Sequence, residues 1–314
     1  MSVTAVPGFV AAGTACGVKA SGADDLAMVA TADGSPVIAA GVFTSNKMTA
    51  PPVLVTRKHL AATDGRAAAV VLNSGNANAA TGAAGMADAE MMCVLTAEAI
   101  GCTPDEVLVC STGLIGFPLP MDRIVSAIPT LAGELTDDGG PAAARAIMTT
   151  DTVPRTTTVT GTTLDGGTFT IGGVAKGAAM LEPNMATMLA VLTTDALLDA
   201  PAATELLRAA VGVSFNCLTV DGAESTNDTV LLLASGTAGP VATDEIGLAR
   251  FPHAGADLHD LIDAIDRHLK YGYADKLGTG KNRRGDKRRR RIVRGSIRFV
   301  IGEEDGVCGE HGVV

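Results

Sequence analysis

The chain has 314 residues, of which 47% are hydrophobic and 18% charged, so it can bury a sizeable core and is not disordered along most of its length. A formal net charge of −10 and an aromatic content of only 3% argue against a nucleic-acid surface, which needs basic grooves and stacking aromatics. No apolar run has the length of a membrane span, and the N-terminus lacks the basic start of a secretory signal. We therefore expect a cytoplasmic enzyme that contacts neither nucleic acid nor membrane.

Hydrophobic periodicity and turn residues predict strands and helices in irregular order. The predicted strands are Val37–Thr44, Val53–Thr56, Ala68–Asn73, Glu106–Cys110, Met188–Thr194, Leu218–Asp221 and Val230–Ala234. The predicted helices are Ala84–Ile100, Pro118–Leu131, Pro141–Met148, Leu197–Val213 and Ala256–Lys270. Two Thr-rich runs, Thr156–Thr163 and Thr168–Ile171, bracket Asp165-Gly166-Gly167 and predict a hairpin. This mixture without a regular βαβ rhythm indicates an α+β or layered fold.

The composition changes near residue 271. Residues 271–314 carry 11 Lys and Arg against six acidic residues, a net charge of +5, whereas residues 1–270 carry 13 bases and 28 acids, a net charge of −15. Such a basic block buries little apolar area, so we expect a disordered tail. Binding of this tail to nucleic acid is a weak alternative, because the rest of the chain is strongly acidic.

The six cysteines are not paired with one another at metal-ligand spacing. No C-x-x-C pair occurs among Cys16, Cys93, Cys102, Cys110, Cys217 and Cys308. We expect buried free thiols in a reducing compartment, with no metal and no cofactor.

Three segments are rich in small polar residues. Residues 175–189 contain a lone Lys176, a Pro-Asn turn and an Ala-Thr pair before an apolar strand. The segment Cys110–Gly116 puts Thr112 and Gly113 at a strand exit, where a hydroxyl and a backbone N–H can donate to an oxyanion. The segment Ile147–Thr152 follows a helix. Taken singly, each segment also has an ordinary structural interpretation. The first fits a Thr at the start of a strand and a solvated Lys, the second a Ser/Thr-Gly turn, and the third the C-terminus of a helix with its loop.

Taken together and in order, these segments resemble the bifunctional ornithine acetyltransferase / glutamate N-acetyltransferase family of arginine biosynthesis. The matching motifs are Met148-Thr149-Thr150-Asp151, Lys176-Gly177 with Met180, and Pro183-Asn184-Met185-Ala186-Thr187-Met188-Leu189. Further matches are Gly17-Val18-Lys19, Gly41-Val42-Phe43-Thr44, Asn73-Ser74-Gly75-Asn76-Ala77-Asn78, Val220-Asp221-Gly222 and Ser225-Thr226-Asn227-Asp228-Thr229. The resemblance runs from about residue 7 to about residue 235.

The resemblance implies a layered α/β sandwich of the N-terminal-nucleophile aminopeptidase-like type, and self-cleavage between Ala186 and Thr187. Thr187 would then carry the acetyl group from N-acetylornithine to glutamate, with acetyl-CoA left open as a second donor. Thr112 and Gly113 would form the oxyanion hole, and Thr149, Lys176 and Thr187 would contact the substrate. Residues 1–186 and 187–270 would be the α and β fragments of an α2β2 heterotetramer.

The sequence departs from the family pattern in two places. Ala179 replaces the second Gly of the usual Lys-Gly-x-Gly-Met. The acidic Asp-x-Glu-Gly and Asp-Pro-Asn-Trp-Gly-Arg segments of the family are absent, and residues 271–314 do not resemble it. We therefore expect an incomplete C-terminal part after a reading-frame shift near residue 271. The truncation also supports an alternative, an inactive remnant of this family. A second alternative is a self-processing aminopeptidase that shares the related fold, although the motifs around Thr149 and Lys176 favour acetyl transfer.

Overall fold

The computed structural model describes residues 2–177, 188–212, 214–217, 225–240, 300–302 and 308–310. Its helices are α1 (Pro51–Ala62), α2 (Gly82–Ile100), α3 (Met121–Gly133), α4 (Gly140–Ala146) and α5 (Ala200–Gly212). Its strands are β1 (Phe9–Thr14), β2 (Leu26–Thr31), β3 (Val37–Phe43), β4 (Arg66–Ala67), β5 (Ala69–Asn76), β6 (Val107–Leu114), β7 (Arg155–Thr162), β8 (Thr168–Lys176), β9 (Leu189–Thr194), β10 (Thr229–Ala234), β11 (Val300–Gly302) and β12 (Cys308–Glu310). Short 3₁₀ turns lie at Val3–Ala5, Pro104–Glu106 and Phe215–Cys217.

Two mixed sheets form the centre of the fold. The first has the strand order β1-β2-β5-β6, and the second β4-β3-β10-β9-β8-β7. In each sheet one neighbouring pair is parallel, β5 with β6 and β9 with β10, and the other pairs are antiparallel. A separate antiparallel pair joins β11 and β12.

The two sheets pack face to face. Val70 and Leu72 of β5 share one apolar cluster with Val191 of β9 and Leu231 of β10, whereas Val71 of β5 points to the other side of its sheet. The outer face of the first sheet is covered by α2 and α3, and that of the second by α5. Strands buried on both faces read as continuous apolar runs, which explains sequences such as Val230–Ala234. The expected layered α+β fold is confirmed.

Most of the predicted elements are present within a few residues of their expected bounds, including the hairpin β7–β8. The strand predicted at Val53–Thr56 is wrong, because these residues lie in α1. Ala50 provides an extended N-cap and Pro51-Pro52 occupy the first helical positions, where a missing N–H costs nothing. The strand predicted at Leu218–Asp221 and the helix predicted at Ala256–Lys270 lie outside the described residues.

None of the helices in the described part of the chain is both long enough and apolar enough to span a membrane.

Candidate active site

The parallel strands β5 and β6 end at two glycines in close contact. Gly113 has φ +136°, and a Cβ built on it would lie 2.3 Å from the carbonyl carbon of Gly75 and 2.5 Å from the amide nitrogen of Asn76. Both contacts are with backbone, so only glycine fits here. The strand register shifts at this point, which re-aims the backbone at the edge of the sheet. Thr112 is buried and Gly113 is exposed beside it.

A polar network holds this strand end in place. Ser111 Oγ donates to Asn73 Oδ1 at 2.6 Å, and Asn73 Nδ2 donates to the carbonyl of Asn76 at 2.8 Å. Asn227 Nδ2 donates to the carbonyls of Ala77 at 2.6 Å and Ser111 at 3.0 Å. The segment before β10 is therefore tied directly to the residue that precedes Thr112.

Lys176 is buried at the end of β8. It is 2% exposed, and its Nζ donates to Thr149 Oγ1 at 3.2 Å. Burial lowers the pKa of Lys176 to about 8, although the charges of Asp151 and Asp228 raise it; Lys19 lowers it further. The alternative of a solvated surface lysine is wrong. Below a pH of about 8 the buried Lys176 carries its charge, and an ammonium group beside a threonine hydroxyl suits the recognition of a carboxylate.

Asp151 connects the loop after α4 to the end of β8. Its carboxylate accepts from the amides of Thr149 at 3.2 Å and Gly177 at 3.0 Å. It also lies 3.7 Å from Arg155 Nε, and both side chains are buried. Asp151 thus contacts the residues on either side of the Lys176–Thr149 bond.

Both flanks of residues 178–187 are fixed at one place in the second sheet. Lys176 pairs with Leu189 across β8 and β9. The amide of Met188 donates to Asp228 Oδ1 at 2.8 Å, and its carbonyl accepts from Thr229 at 2.9 Å. Ala186 and Thr187 themselves lie outside the described residues.

Two consecutive residues before β10 connect the Thr112–Gly113 strand end with the start of β9. Asn227 bonds to Ser111, next to Thr112, and Asp228 bonds to Met188, next to Thr187 in sequence. On the other side, the carbonyl of Ala146 accepts from Ser74 Oγ and from Lys19 Nζ, which brings the loop that contains Thr149 to the end of β5. The Thr112–Gly113 strand end and the Lys176–Thr149 pair therefore belong to one connected site.

The sequence motifs predict Thr112, Gly113, Thr149 and Lys176 in this site, but they give no role to several charged and amide side chains. Asp151, Asn227, Asp228 and Lys19 stand inside the matching motifs, and that position is the one signal the sequence offers for them. The structure shows that Asn227 and Asp228 are buried and that the Asp151 side chain has no exposed surface, whereas Lys19 is only partly buried.

Four cysteines are free thiols in the described structure. Cys93 and Cys110 are buried, whereas Cys16 and Cys102 are partly exposed. Cys217 and Cys308 have no described side chains. Within the described ranges, no group of three or more His, Cys, Asp and Glu side chains could hold a metal ion.

Comparison with known proteins gives consistent matches. The sequence profile of the ArgJ family matches residues 10–270, so the match ends where the basic segment begins. Proteins named arginine biosynthesis bifunctional protein ArgJ are 51% identical over 237 residues in Symbiobacterium thermophilum and 52% identical over 239 residues in Streptomyces coelicolor. The matched segment is 76% of this chain in both cases, but only 58% and 60% of those relatives. The chain thus spans about three fifths of the length of these relatives.

Solved structures agree. The ArgJ protein of Bacillus halodurans gives a TM-score of 0.54 at 40% identity, covering 60% of this chain and 95% of that one. An ornithine acetyltransferase of Mycobacterium tuberculosis, complexed with ornithine, gives 0.50 at 41% identity, covering 60% and 96%. A β-aminopeptidase of Burkholderia gives 0.50 over 86% of each chain at 14% identity, which shows a shared fold alone. On the extent of the profile match and the identity to these relatives, the chain belongs to the ArgJ family.

Proposed function

We propose that this chain transfers an acetyl group from N-acetylornithine to glutamate through an acetyl-Thr187 intermediate, after cleaving itself between Ala186 and Thr187. Family membership supports the reaction, because the relatives are named as bifunctional proteins of arginine biosynthesis. The M. tuberculosis protein was solved with ornithine, which is one product of the proposed first half-reaction. The observation that carries the proposal is the buried Lys176–Thr149 pair immediately before residues 178–187.

Self-cleavage needs a hydroxyl beside its own peptide carbonyl. In the proposed step, Thr187 Oγ1 attacks the carbonyl carbon of Ala186, the C–N bond breaks as the C–O ester forms, and water then hydrolyses the ester. The products are an Ala186 carboxylate and a free Thr187 α-amine. That amine has a pKa near ~8 in model peptides, so it can accept the proton from its own hydroxyl in the next reaction.

The coverage of the solved chains supports cleavage. The solved chains of B. halodurans and M. tuberculosis are covered to 95% and 96% by the match. The same match covers only 60% of this chain, which is about the length of residues 1–186. The curated relatives are matched only to about 60% by an even longer segment. The solved chains are therefore much shorter than the curated relatives, as separate fragments of a precursor would be.

Acetyl transfer then follows in two half-reactions. Thr187 Oγ1 attacks the acetyl carbonyl of N-acetylornithine, and the ornithine amine leaves with a proton. Glutamate's amine next attacks the acetyl ester and restores the Thr187 hydroxyl. Thr112 and the Gly113 amide would stabilise both oxyanions, and Lys176 with Thr149 would bind the substrate carboxylate. The reaction needs neither metal nor cofactor, and we place it in an α2β2 assembly of the two fragments. Acetyl-CoA stays open as a second acetyl donor, and replacing N-acetylornithine with acetyl-CoA in the assay below tests it.

An exchange assay with labelled glutamate and N-acetylornithine tests the proposal. We expect Thr112→Val to lower kcat by roughly 10²–10³, the usual effect of losing one oxyanion donor. Thr31→Val is the matched control, because Thr31 is a buried threonine at the opposite end of the same sheet. Equal activity of Thr112→Val and the wild type would refute the oxyanion role. Hydrolysis of peptide substrates without acetyl exchange would instead favour the aminopeptidase alternative.

The fragment boundaries at 186 and 270 and the basic tail after residue 271 remain predictions. Sequencing the locus and translating the other frames tests the frame-shift hypothesis, which fails if no frame encodes a family-like continuation. A protein that neither cleaves nor exchanges would be the inactive remnant.

A further inference from the structure

Asp151 occupies a position that the proposed chemistry does not use directly. It reacts with nothing, yet its carboxylate lies inside the site with no exposed side-chain surface. A buried carboxylate is costly unless charges and hydrogen bonds compensate it, so its partners should show its role.

Those partners are the supports of the substrate-binding pair. One oxygen, Oδ2, accepts from the amide of Thr149, whose own hydroxyl accepts from Lys176. The other, Oδ1, accepts from the amide of Gly177, the residue after Lys176, and faces Arg155. One carboxylate therefore fixes the backbone on both sides of the Lys176–Thr149 hydrogen bond.

The same carboxylate is a charge partner of the buried lysine. Among the residues that the structure describes, the charged groups that face Lys176 are Asp151 from the loop before β7, Asp228 from the segment before β10, and Lys19 from the loop after β1. Of the two carboxylates, Asp151 raises the pKa of Lys176 more than Asp228 does. It also raises the pKa of Lys19. Without Asp151, the carboxylate of Asp228 would be left to offset both the burial of Lys176 and the neighbouring charge of Lys19.

We propose that Asp151 is a positioning residue that aligns Thr149 with Lys176 and keeps the Lys176 ammonium charged, so that the site can bind the carboxylate of its amino-acid substrates. The inference rests on the proposed acetyl transfer for its kinetic consequence. Its electrostatic consequence does not depend on turnover.

The direct test is an NMR titration of protein labelled with ¹³Cε-lysine, with the Lys176 resonance assigned by its loss in Lys176→Met. In Asp151→Asn we expect the titration midpoint of Lys176 to fall by roughly 1–3 pH units, the usual influence of one close opposite charge. The control is Asp195→Asn, which removes a buried carboxylate that accepts from the Thr170 amide at 2.6 Å, towards the other end of β8. An unchanged Lys176 midpoint in Asp151→Asn would overturn the proposal.

The kinetic test is the pH dependence of KM for glutamate. In the wild type KM should rise as the pH passes about 8, where Lys176 loses its charge. In Asp151→Asn the rise should begin roughly 1–3 pH units lower, by the same charge effect, whereas Asp195→Asn should keep the wild-type profile. A uniform fall in kcat at every pH, with the KM profile unmoved, would mean a merely structural role and contradict the proposal.

Two outcomes need separate treatment. If Asp151→Asn does not fold, because Arg155 has lost its ion-pair partner, the double variant Asp151→Asn/Arg155→Gln removes both charges and is tested in the same way. If the wild type shows no acetyl exchange, the proposed function fails, but the NMR midpoint still decides whether Asp151 controls the charge of Lys176.

Discussion

Replacing Gly113 by alanine tests the geometry of the proposed oxyanion hole. The new Cβ would lie 2.3 Å from the carbonyl carbon and 2.6 Å from the carbonyl oxygen of Gly75, and the residue would keep φ near +136°. Strain at an unfavourable φ costs about 1–3 kcal/mol, and overpacking against a rigid neighbour about the same again. We therefore expect Gly113→Ala to destabilise the fold by about 2–6 kcal/mol. The displaced amide should also lower kcat by roughly 10²–10³.

Gly116→Ala is the matched control for this prediction. Gly116 also has a positive φ, +86°, but a Cβ added there would meet no atom within 4 Å. It should therefore show the strain of the backbone alone, about 1–2 kcal/mol, and near-normal acetyl exchange. Urea unfolding and the exchange assay measure both variants side by side. Equal loss of stability in the two variants, or full activity in Gly113→Ala, would refute the close-packing argument.

Three further predictions follow from buried groups. Because burial lowers the folded-state pKa of Lys176 to about 8 from 10.5, the unfolded chain binds more protons between these values, so the wild type should gain stability from pH 8 to pH 10. Lys176→Met should lack this gain in urea unfolding at the two pH values, and an identical gain would contradict it. Asn227→Ala leaves two buried carbonyls without their donor and should destabilise the fold by about 2–4 kcal/mol in the same assay; less than about 1 kcal/mol would count against the network. Burial raises the pKa of Cys110 to about 12 and also raises that of Cys93, so iodoacetamide should not label either thiol in the native protein at pH 8; mass spectrometry would detect such labelling.

The sequence predicts the elements of this fold well where apolar runs are long. The strands that are buried on both faces, such as β5 and β10, follow directly from their apolar sequences. The wrong prediction at Val53–Thr56 has a physical cause. The β-branched residues of this segment favour a strand, but the preceding Pro51-Pro52 pair starts a helix that includes them.

The site is only partly predictable. Motifs predict Thr112, Gly113, Thr149 and Lys176 as site residues, but the motifs give no distances between them. The contacts of Asp228 with Met188 span 40 residues, and those of Asn227 with Ser111 span 116, so no local pattern could reveal them. Folding brings these polar groups together from distant parts of the chain. Because they are then buried, each needs a hydrogen-bond partner to offset the loss of water.

The central claim is that this site frees Thr187 as a nucleophile, and the intact mass of the purified protein tests it most directly. The account predicts two species that separate between Ala186 and Thr187 in the wild type. It predicts one species of 31.6 kDa in Thr187→Ala. A single 31.6 kDa species in the wild type would contradict the account, because the nucleophile would never be released.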